Sequence, residues 1–175
     1  MTILKAPVTS KDHIRGNVNA PITLLEYGDY ECPYCGMAHS IIKRVQKHLG
    51  EQLRFVYRHF PLTELHPHAE IAAQAAEFAG AHGHFWEMHD LIYENQKYLD
   101  IDLLLKLAKM LKLSDDGLLS SLKNRTYLPK IQNDMLTGEM CGVHGTPTFF
   151  LNGHLYTGSY EFEDLVSVIE QVANQ

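Results

Sequence analysis

Apolar and polar positions alternate with a period of two in two short stretches near the start of the chain, and helical spacing dominates most of the remaining sequence. The first stretch is Ile22 to Tyr27, opened by Pro21: Ile22, Leu24 and Glu26 fall on one face, Thr23, Leu25 and Tyr27 on the other. The second is Leu53 to His59, with Phe55, Tyr57 and His59 against Val56 and Arg58, and Pro61 ends it. Between these strands Met37, Ile41, Val45 and Leu49 recur at helical spacing, and Gly50 is the expected stop. From His66 to Gly142 the pattern is almost continuous helix. Pro67 opens one helix with Ile71, Ala72, Ala75, Ala76 and Ala79 buried, ended by Gly80 and Gly83. Phe85, Met88, Leu91 and Ile92 mark the next, and Leu104, Leu107, Ala108 and Leu111 a third. Ser114 is the expected N-cap of a fourth reaching Asn124, and Leu128, Ile131 and Met135 mark a last one running toward Cys141. Strand spacing then returns in Thr148 to Leu151, followed by an Asn152-Gly153 hairpin turn and His154 to Tyr156. Phe162, Leu165, Ile169 and Val172 close the chain as a helical stripe. Residues 1–20, interrupted by Asn, Gly and Asp, predict an arm with at most one edge strand.

This order, strand, helix, strand, helical block, hairpin, helix, predicts an α/β protein. The strands before and after the block can share one sheet only if the block bulges from its side. The expected division is therefore 1–62 with 141–175 as the sheet domain and 63–140 as an inserted all-helical domain.

A chain of 175 residues can bury a core of its own. Its 15 Lys and Arg stand against 21 Asp and Glu, a formal net charge of -6, which argues against general nucleic-acid binding. No apolar run approaches the roughly 18 residues of a membrane span. Met1 to Ser10 holds Lys5 but no continuous apolar segment, so a secretory leader is not expected and the cytoplasm is the expected compartment. Three cysteines cannot make a fully paired disulfide framework. The 11 histidines include His66/His68 and His82/His84/His89, whose spacings match no ligand signature with the partners a metal would need. They are expected at the surface or as helix caps, with no metal bound.

The candidate chemistry sits in Cys32-Pro33-Tyr34-Cys35, at the turn from the first strand into its helix. Two cysteines three apart on a helix share a face. The first lies near the helix N-cap, where free N–H groups and the helix dipole favour a thiolate. Cys32 is then the candidate nucleophile and Cys35 the resolving partner. Two other readings stay open, half of a zinc site and an idle packed pair, although zinc generally takes four ligands and only Cys141 remains. Glu26 points where its neighbours are apolar; burial raises a carboxyl pKa, so near neutral pH it could exchange a proton with Cys35. Cys141 is expected to be buried and inert, and His39, four residues beyond Cys35, to be solvated.

Four stretches together resemble the DsbA-like branch of the thioredoxin superfamily, thiol-disulfide oxidoreductases with a helical domain inserted in a thioredoxin fold. They are Leu24 to Gly36, His66 to Ala69, Phe85 to Asp90 (Phe-Trp-Glu-Met-His-Asp) and Gly142 to Phe150 (Gly-Val-His-Gly-Thr-Pro-Thr-Phe-Phe). The resemblance covers most of the chain beyond residue 11. It implies that the sheet domain is thioredoxin-like, that Cys32, Cys35 and Glu26 are catalytic, and that Pro33, Tyr34, Thr146 and Pro147 meet the substrate. The Thr146–Pro147 bond would be cis, against the disulfide. The substrates would be protein or small-molecule thiols and disulfides, served by a separate redox partner, with no bound cofactor because the two sulfurs carry the electrons. The intervening Pro-Tyr matches many glutaredoxins rather than the Pro-His of the best-known DsbA pattern. In a reducing cytoplasm, reduction of substrates would be the easier direction.

Overall fold

A computed structural model describes residues 2–175. Five strands form one sheet in the order β1-β3-β2-β4-β5: β1 His13–Gly16, β2 Ile22–Gly28, β3 Leu53–His59, β4 Thr148–Leu151 and β5 His154–Tyr156. β2 and β3 are parallel, joined through α1 (Pro33–Leu49), and β1, β4 and β5 are each antiparallel to their neighbours. Between β3 and β4 lie α2 (Ala69–Ala81), α3 (Phe85–Glu94), α4 (Ile101–Met110), α5 (Asp115–Lys123) and α6 (Leu128–Met140). α7 (Phe162–Ala173) ends the chain. This is the expected thioredoxin-like α/β fold with a helical insertion.

The alternation in β2 and β3 divides the core as the pattern requires. Ile22, Leu24, Phe55 and Tyr57 face α1, α7 and the insertion in one large cluster, while Leu25, Tyr27 and Val56 join Phe60, Val143 and Phe150 on the opposite face. Phe78, Phe85, Met88, Ile92 and Leu104 of the insertion belong to the first cluster, so one core runs through the sheet and the inserted helices. Burying such side chains contributes roughly 1.5–3 kcal/mol each, which ties the insertion to the sheet by packing as well as by the chain. On the other face α6 comes close because Gly138 carries no side chain: a Cβ there would lie 2.9 Å from the Phe60 ring.

Two features of the pattern read differently in three dimensions. The buried stripe of α1 is Cys35, Ala38, Ile42, Val45 and Leu49, and Met37 is 57% exposed. A strict four-residue repeat drifts around a helix of 3.6 residues per turn, so its first member leaves the core face. Asp12, a turn breaker in the sequence pattern, accepts two hydrogen bonds from Arg58 of β3, Nε to Oδ1 at 2.8 Å and Nη2 to Oδ2 at 3.0 Å. Both side chains are buried, 6% and 5% exposed.

Candidate functional site

β2 delivers the chain to Gly28, and contacts of two carboxylates and one backbone carbonyl then shape the turn that starts α1. The Asp29 carboxylate is fully buried and accepts the N–H groups of Glu31 (2.8 Å) and Leu62 (2.9 Å) and a hydrogen bond from His66 Nδ1 (2.7 Å). Glu31 in turn accepts the N–H of His68 at 2.6 Å and pairs with its Nδ1 at 2.9 Å. The Cys32 N–H donates to the Asp29 carbonyl at 3.1 Å. The turn is thus stitched to residues 62–68, beyond β3.

Cys32 is the N-cap of α1, with extended backbone (φ -71°, ψ 120°), and Pro33 occupies the first helical position. Proline lacks an N–H that would be unpaired there, and its fixed φ suits the helix. The N–H groups of the next two residues, Tyr34 and Cys35, face the Cys32 sulfur. The Cys32 pKa is lowered to about 5, chiefly by the hydrogen bond that the Cys35 thiol donates to it. Burial opposes this, and the Cys35 thiol, Thr146 and the two N–H groups together outweigh it. Thr146 meets the sulfur in two ways suited to its two protonation states. Its carbonyl lies 3.5 Å from Sγ as acceptor for the thiol, while its buried hydroxyl has no hydrogen-bond partner and helps to lower the pKa of the sulfur.

Cys35 is pushed well above the ordinary thiol value, first by burial, then by its bond to Cys32 and the charge of Glu26. Neither cysteine is bonded, so the pair is a dithiol of unequal members, one an anion near neutral pH and one protonated. Glu26 is buried, paired in register with Tyr57 of β3 and Phe149 of β4, and its Oε1 has no partner. Burial, and then the Cys32 charge, raise its pKa to about 8.

The peptide bond between Thr146 and Pro147 is cis. Pro147 borders a cleft of about 320 Å³ lined by Phe149, Tyr156 and Tyr160 among others. Tyr34 is 63% exposed beside the sulfurs. Cys141 lies far from this group, buried against Leu25 and Tyr27 with its sulfur accepting the Lys5 N–H at 3.1 Å.

The histidines depart most from expectation. His39 is buried rather than solvated, stacked on Tyr93 at 4.9 Å, because α3 of the insertion covers that face of α1. Burial lowers its pKa to about 4. His89 is also buried rather than superficial, its Nδ1 2.9 Å from the Tyr30 hydroxyl. His82 caps a carbonyl of α2, and His66 and His68 anchor the Cys32 turn through Asp29 and Glu31.

Two groups of three side chains among the described residues have metal-ligand proximity, and neither contains a cysteine. In the first, the Nε2 atoms of His13 and His59 lie 2.8 and 2.9 Å from the same Glu77 oxygen, which occupies those nitrogens. In the second, with His39 and His89, Asp90 is already neutralised by Arg15 at 2.9 Å and faces Lys43 at 3.6 Å, two cations that would repel a metal ion.

A family model described as Thioredoxin matches residues 8–171. The chain belongs to the thioredoxin family. Its fold is also that of solved DsbA-type structures. Bacillus subtilis BdbD superposes with a TM-score of 0.84 at 24% identity over 94% of each chain. Wolbachia pipientis alpha-DsbA1 superposes at 0.82 and 21% identity over 98% of this thioredoxin-family chain and 94% of that one. Sequence relatives are segments of longer polypeptides. Na(+)/H(+) antiporter NhaA 1 of Salinispora arenicola is 43% identical over 95% of this chain and 26% of that protein. Its namesake in Mycobacterium sp. is 35% identical over 97% and 28%. The chain thus spans about a quarter of the length of the curated relatives it matches.

These relatives overturn the cytoplasmic expectation. A segment like this chain is carried by polypeptides named for ion antiport, an activity that exists only across a membrane, and the absence of an apolar start does not assign a compartment to such a segment. Net reduction of substrates, expected only for a reducing cytoplasm, loses its support at the same time. No helix among the described residues is long and apolar enough to cross a membrane.

Proposed function

We propose that this thioredoxin-family protein is a thiol-disulfide oxidoreductase working through a mixed disulfide at Cys32, with 1–62 and 141–175 as its thioredoxin-like domain and 63–140 as the inserted one. In the oxidised protein a substrate thiolate attacks Cys32 Sγ, the Cys32–Cys35 bond breaks, and Cys35 leaves with the bond's electron pair. Cys35 takes a proton, for which Glu26 is the buried acid whose charge acts on it. A second substrate thiolate then attacks the substrate sulfur of the mixed disulfide and expels Cys32 as a thiolate. The substrate loses two electrons and the enzyme gains them. In reverse, Cys32 attacks a substrate disulfide and Cys35 releases it. Pro33 and Tyr34, which follow Cys32 in the chain, and Pro147 with Thr146, whose carbonyl meets the sulfur, are the proposed substrate contacts.

The observation that carries this reading is the split between the two sulfurs: donors gathered on Cys32 hold it near 5, and burial holds Cys35 well above the usual range. A low-pKa thiolate leaves readily, and a protonated partner waits to be activated. The test is the rate of alkylation of Cys32 in the reduced protein from pH 3 to 10. A titration with a midpoint near 5 is expected, and one at the free-thiol value of about 8.5 would end the proposal.

Glu26 gives a second prediction with a defined sign. Its folded pKa is raised from 4.5 to about 8, so the folded state holds this proton more tightly than the unfolded chain. The stability this confers is complete below pH 4.5 and is lost as pH rises through 8. Glu26→Gln cannot ionise, so relative to the wild type it is expected to gain stability between pH 5 and 9, read as a rising difference in urea midpoint. Over the same range its thiol exchange should slow near neutrality, because the buried acid no longer serves Cys35. Parallel urea curves for the two proteins across that range would refute the assignment.

A further inference from the structure

Gln96 lies more than 60 residues from the active-site turn in sequence and touches it in space. It opens a short 3-10 turn, Gln96–Tyr98, directly after α3 in the helical insertion. Its side-chain Nε2 has two hydrogens, and both are donated to main-chain carbonyls of the turn, Tyr30 at 2.9 Å and Cys32 at 2.8 Å. Its Oε1 packs on Gly36, so closely that a Cβ built there would lie 2.3 Å from it. The Gly36 N–H also donates to the Cys32 carbonyl, at 3.1 Å. That carbonyl is therefore held from two directions, once from inside α1 and once from the insertion.

We infer that Gln96 is a positioning residue for the Cys32 thiolate, a contribution of the inserted helices to the chemistry of the sulfur. The Cys32 carbonyl belongs to the peptide plane linking Cys32 to Pro33. Proline offers no N–H, so the backbone donors that support the sulfur beside the Cys35 thiol are the next two N–H groups, of Tyr34 and Cys35. Whether these point at Sγ is fixed by the rotation at Cys32 that sets this plane. A carbonyl with one helical bond is free to tilt outward toward water, whereas a carbonyl with a second donor on its other side is not. The bond to the Tyr30 carbonyl fixes the plane two residues earlier in the same way. Gln96 thus preorganises the donors without touching the sulfur. Gly36 belongs to the device, because any side chain there would displace the amide.

This inference rests on Cys32 being the low-pKa nucleophile, and the experiment separates the two. Cys32 alkylation is followed against pH in the wild type, Gln96→Met, Gly36→Ala and the double variant. Methionine keeps the length and bulk of glutamine and removes both donors. Failure of the wild type to titrate near 5 counts against the nucleophile itself. If it does titrate there, Gln96→Met is expected to raise the midpoint by roughly one pH unit and to slow alkylation at pH 5 roughly fivefold, with a rate at pH 9 within about twofold of wild type. Gly36→Ala is expected to shift the midpoint in the same direction although alanine is the better helix former, and the double variant to shift it no further than either single one. An unchanged midpoint in folded Gln96→Met, or additive shifts in the double variant, would overturn the inference. Failure of both Gln96→Met and Gly36→Ala to fold would also overturn it, by assigning the contact to the fold rather than to the sulfur.

Discussion

Cys32→Ser is expected to reduce thiol-disulfide exchange to background, and Cys35→Ser to accumulate a covalent adduct between Cys32 and the substrate. The asymmetry follows from where the two sulfurs sit. The groups that lower the Cys32 pKa, the Cys35 thiol, the Thr146 hydroxyl and the Tyr34 and Cys35 N–H groups, converge on one atom at the start of α1. A serine hydroxyl there is not ionised near neutral pH and makes no disulfide, so no step of the exchange can begin. Cys35 is one turn deeper and fully buried. Serine there keeps a donor for the Cys32 sulfur, so attack at Cys32 persists while the internal thiol that would release the product is gone. The intact mass of Cys35→Ser protein treated with a small disulfide should rise by one substrate half, and dithiothreitol should remove it. Cys141→Ser serves as the control and is expected to exchange at the wild-type rate, since Cys141 is packed against Leu25 and Tyr27 on the opposite face of the sheet. Full activity in Cys32→Ser, or an adduct mapped to Cys141, would exclude the mechanism.

The elements were legible where the signal was local. Leu53–His59 is a strand whose alternation faces two different cores, and Asn152-Gly153 turns a hairpin between β4 and β5, with positive φ at both residues. Ser114 caps α5 by accepting the Gly117 N–H at 2.9 Å. The sulfurs and Glu26 were legible for a related reason, because a strand, a turn and a helix start within a dozen residues define their surroundings. What periodicity could not reveal is which solvent face of an element another element covers. His39 sits at the edge of the buried stripe of α1, one turn after Cys35, and α3 packed along that edge buries it. Gln96, Asp29, His66 and His68 act through bonds between segments that are distant in sequence, and no spacing rule marks a polar residue whose partner lies dozens of positions away. The Phe-Trp-Glu-Met-His-Asp stretch did carry a signal, since a charged residue and a histidine next to an apolar stripe required partners on another element.

The largest effect on stability is expected from the ion pair that those patterns concealed. Asp12→Ala should destabilise the protein by about 3–5 kcal/mol, the usual cost of leaving one member of a buried pair without its counter-charge. Beyond the two bonds to Asp12, the Arg58 guanidinium donates to the Ala6 and Pro7 carbonyls and to the Tyr27 hydroxyl, at 2.9, 3.2 and 3.0 Å. It therefore ties β3 to the N-terminal arm, and its charge persists without Asp12. Burial alone would lower the Arg58 pKa, and the bonds to Asp12 and Tyr27 overcome that. Deleting Asp12 leaves a cation in a site with too few acceptors to hold it. Against a total of about 5–15 kcal/mol for a domain, this should move the urea midpoint visibly without changing the slope. The double change Asp12→Ala with Arg58→Met distinguishes the uncompensated charge from lost packing. If the charge dominates, removing it recovers most of the loss, because a buried pair contributes little over an apolar replacement of similar volume. If the double variant is as unstable as the sum of the single changes, the arm is held by the hydrogen bonds to Ala6 and Pro7 and the packing of Leu4 and Val8 on the second core, and the electrostatic account of Asp12 is wrong.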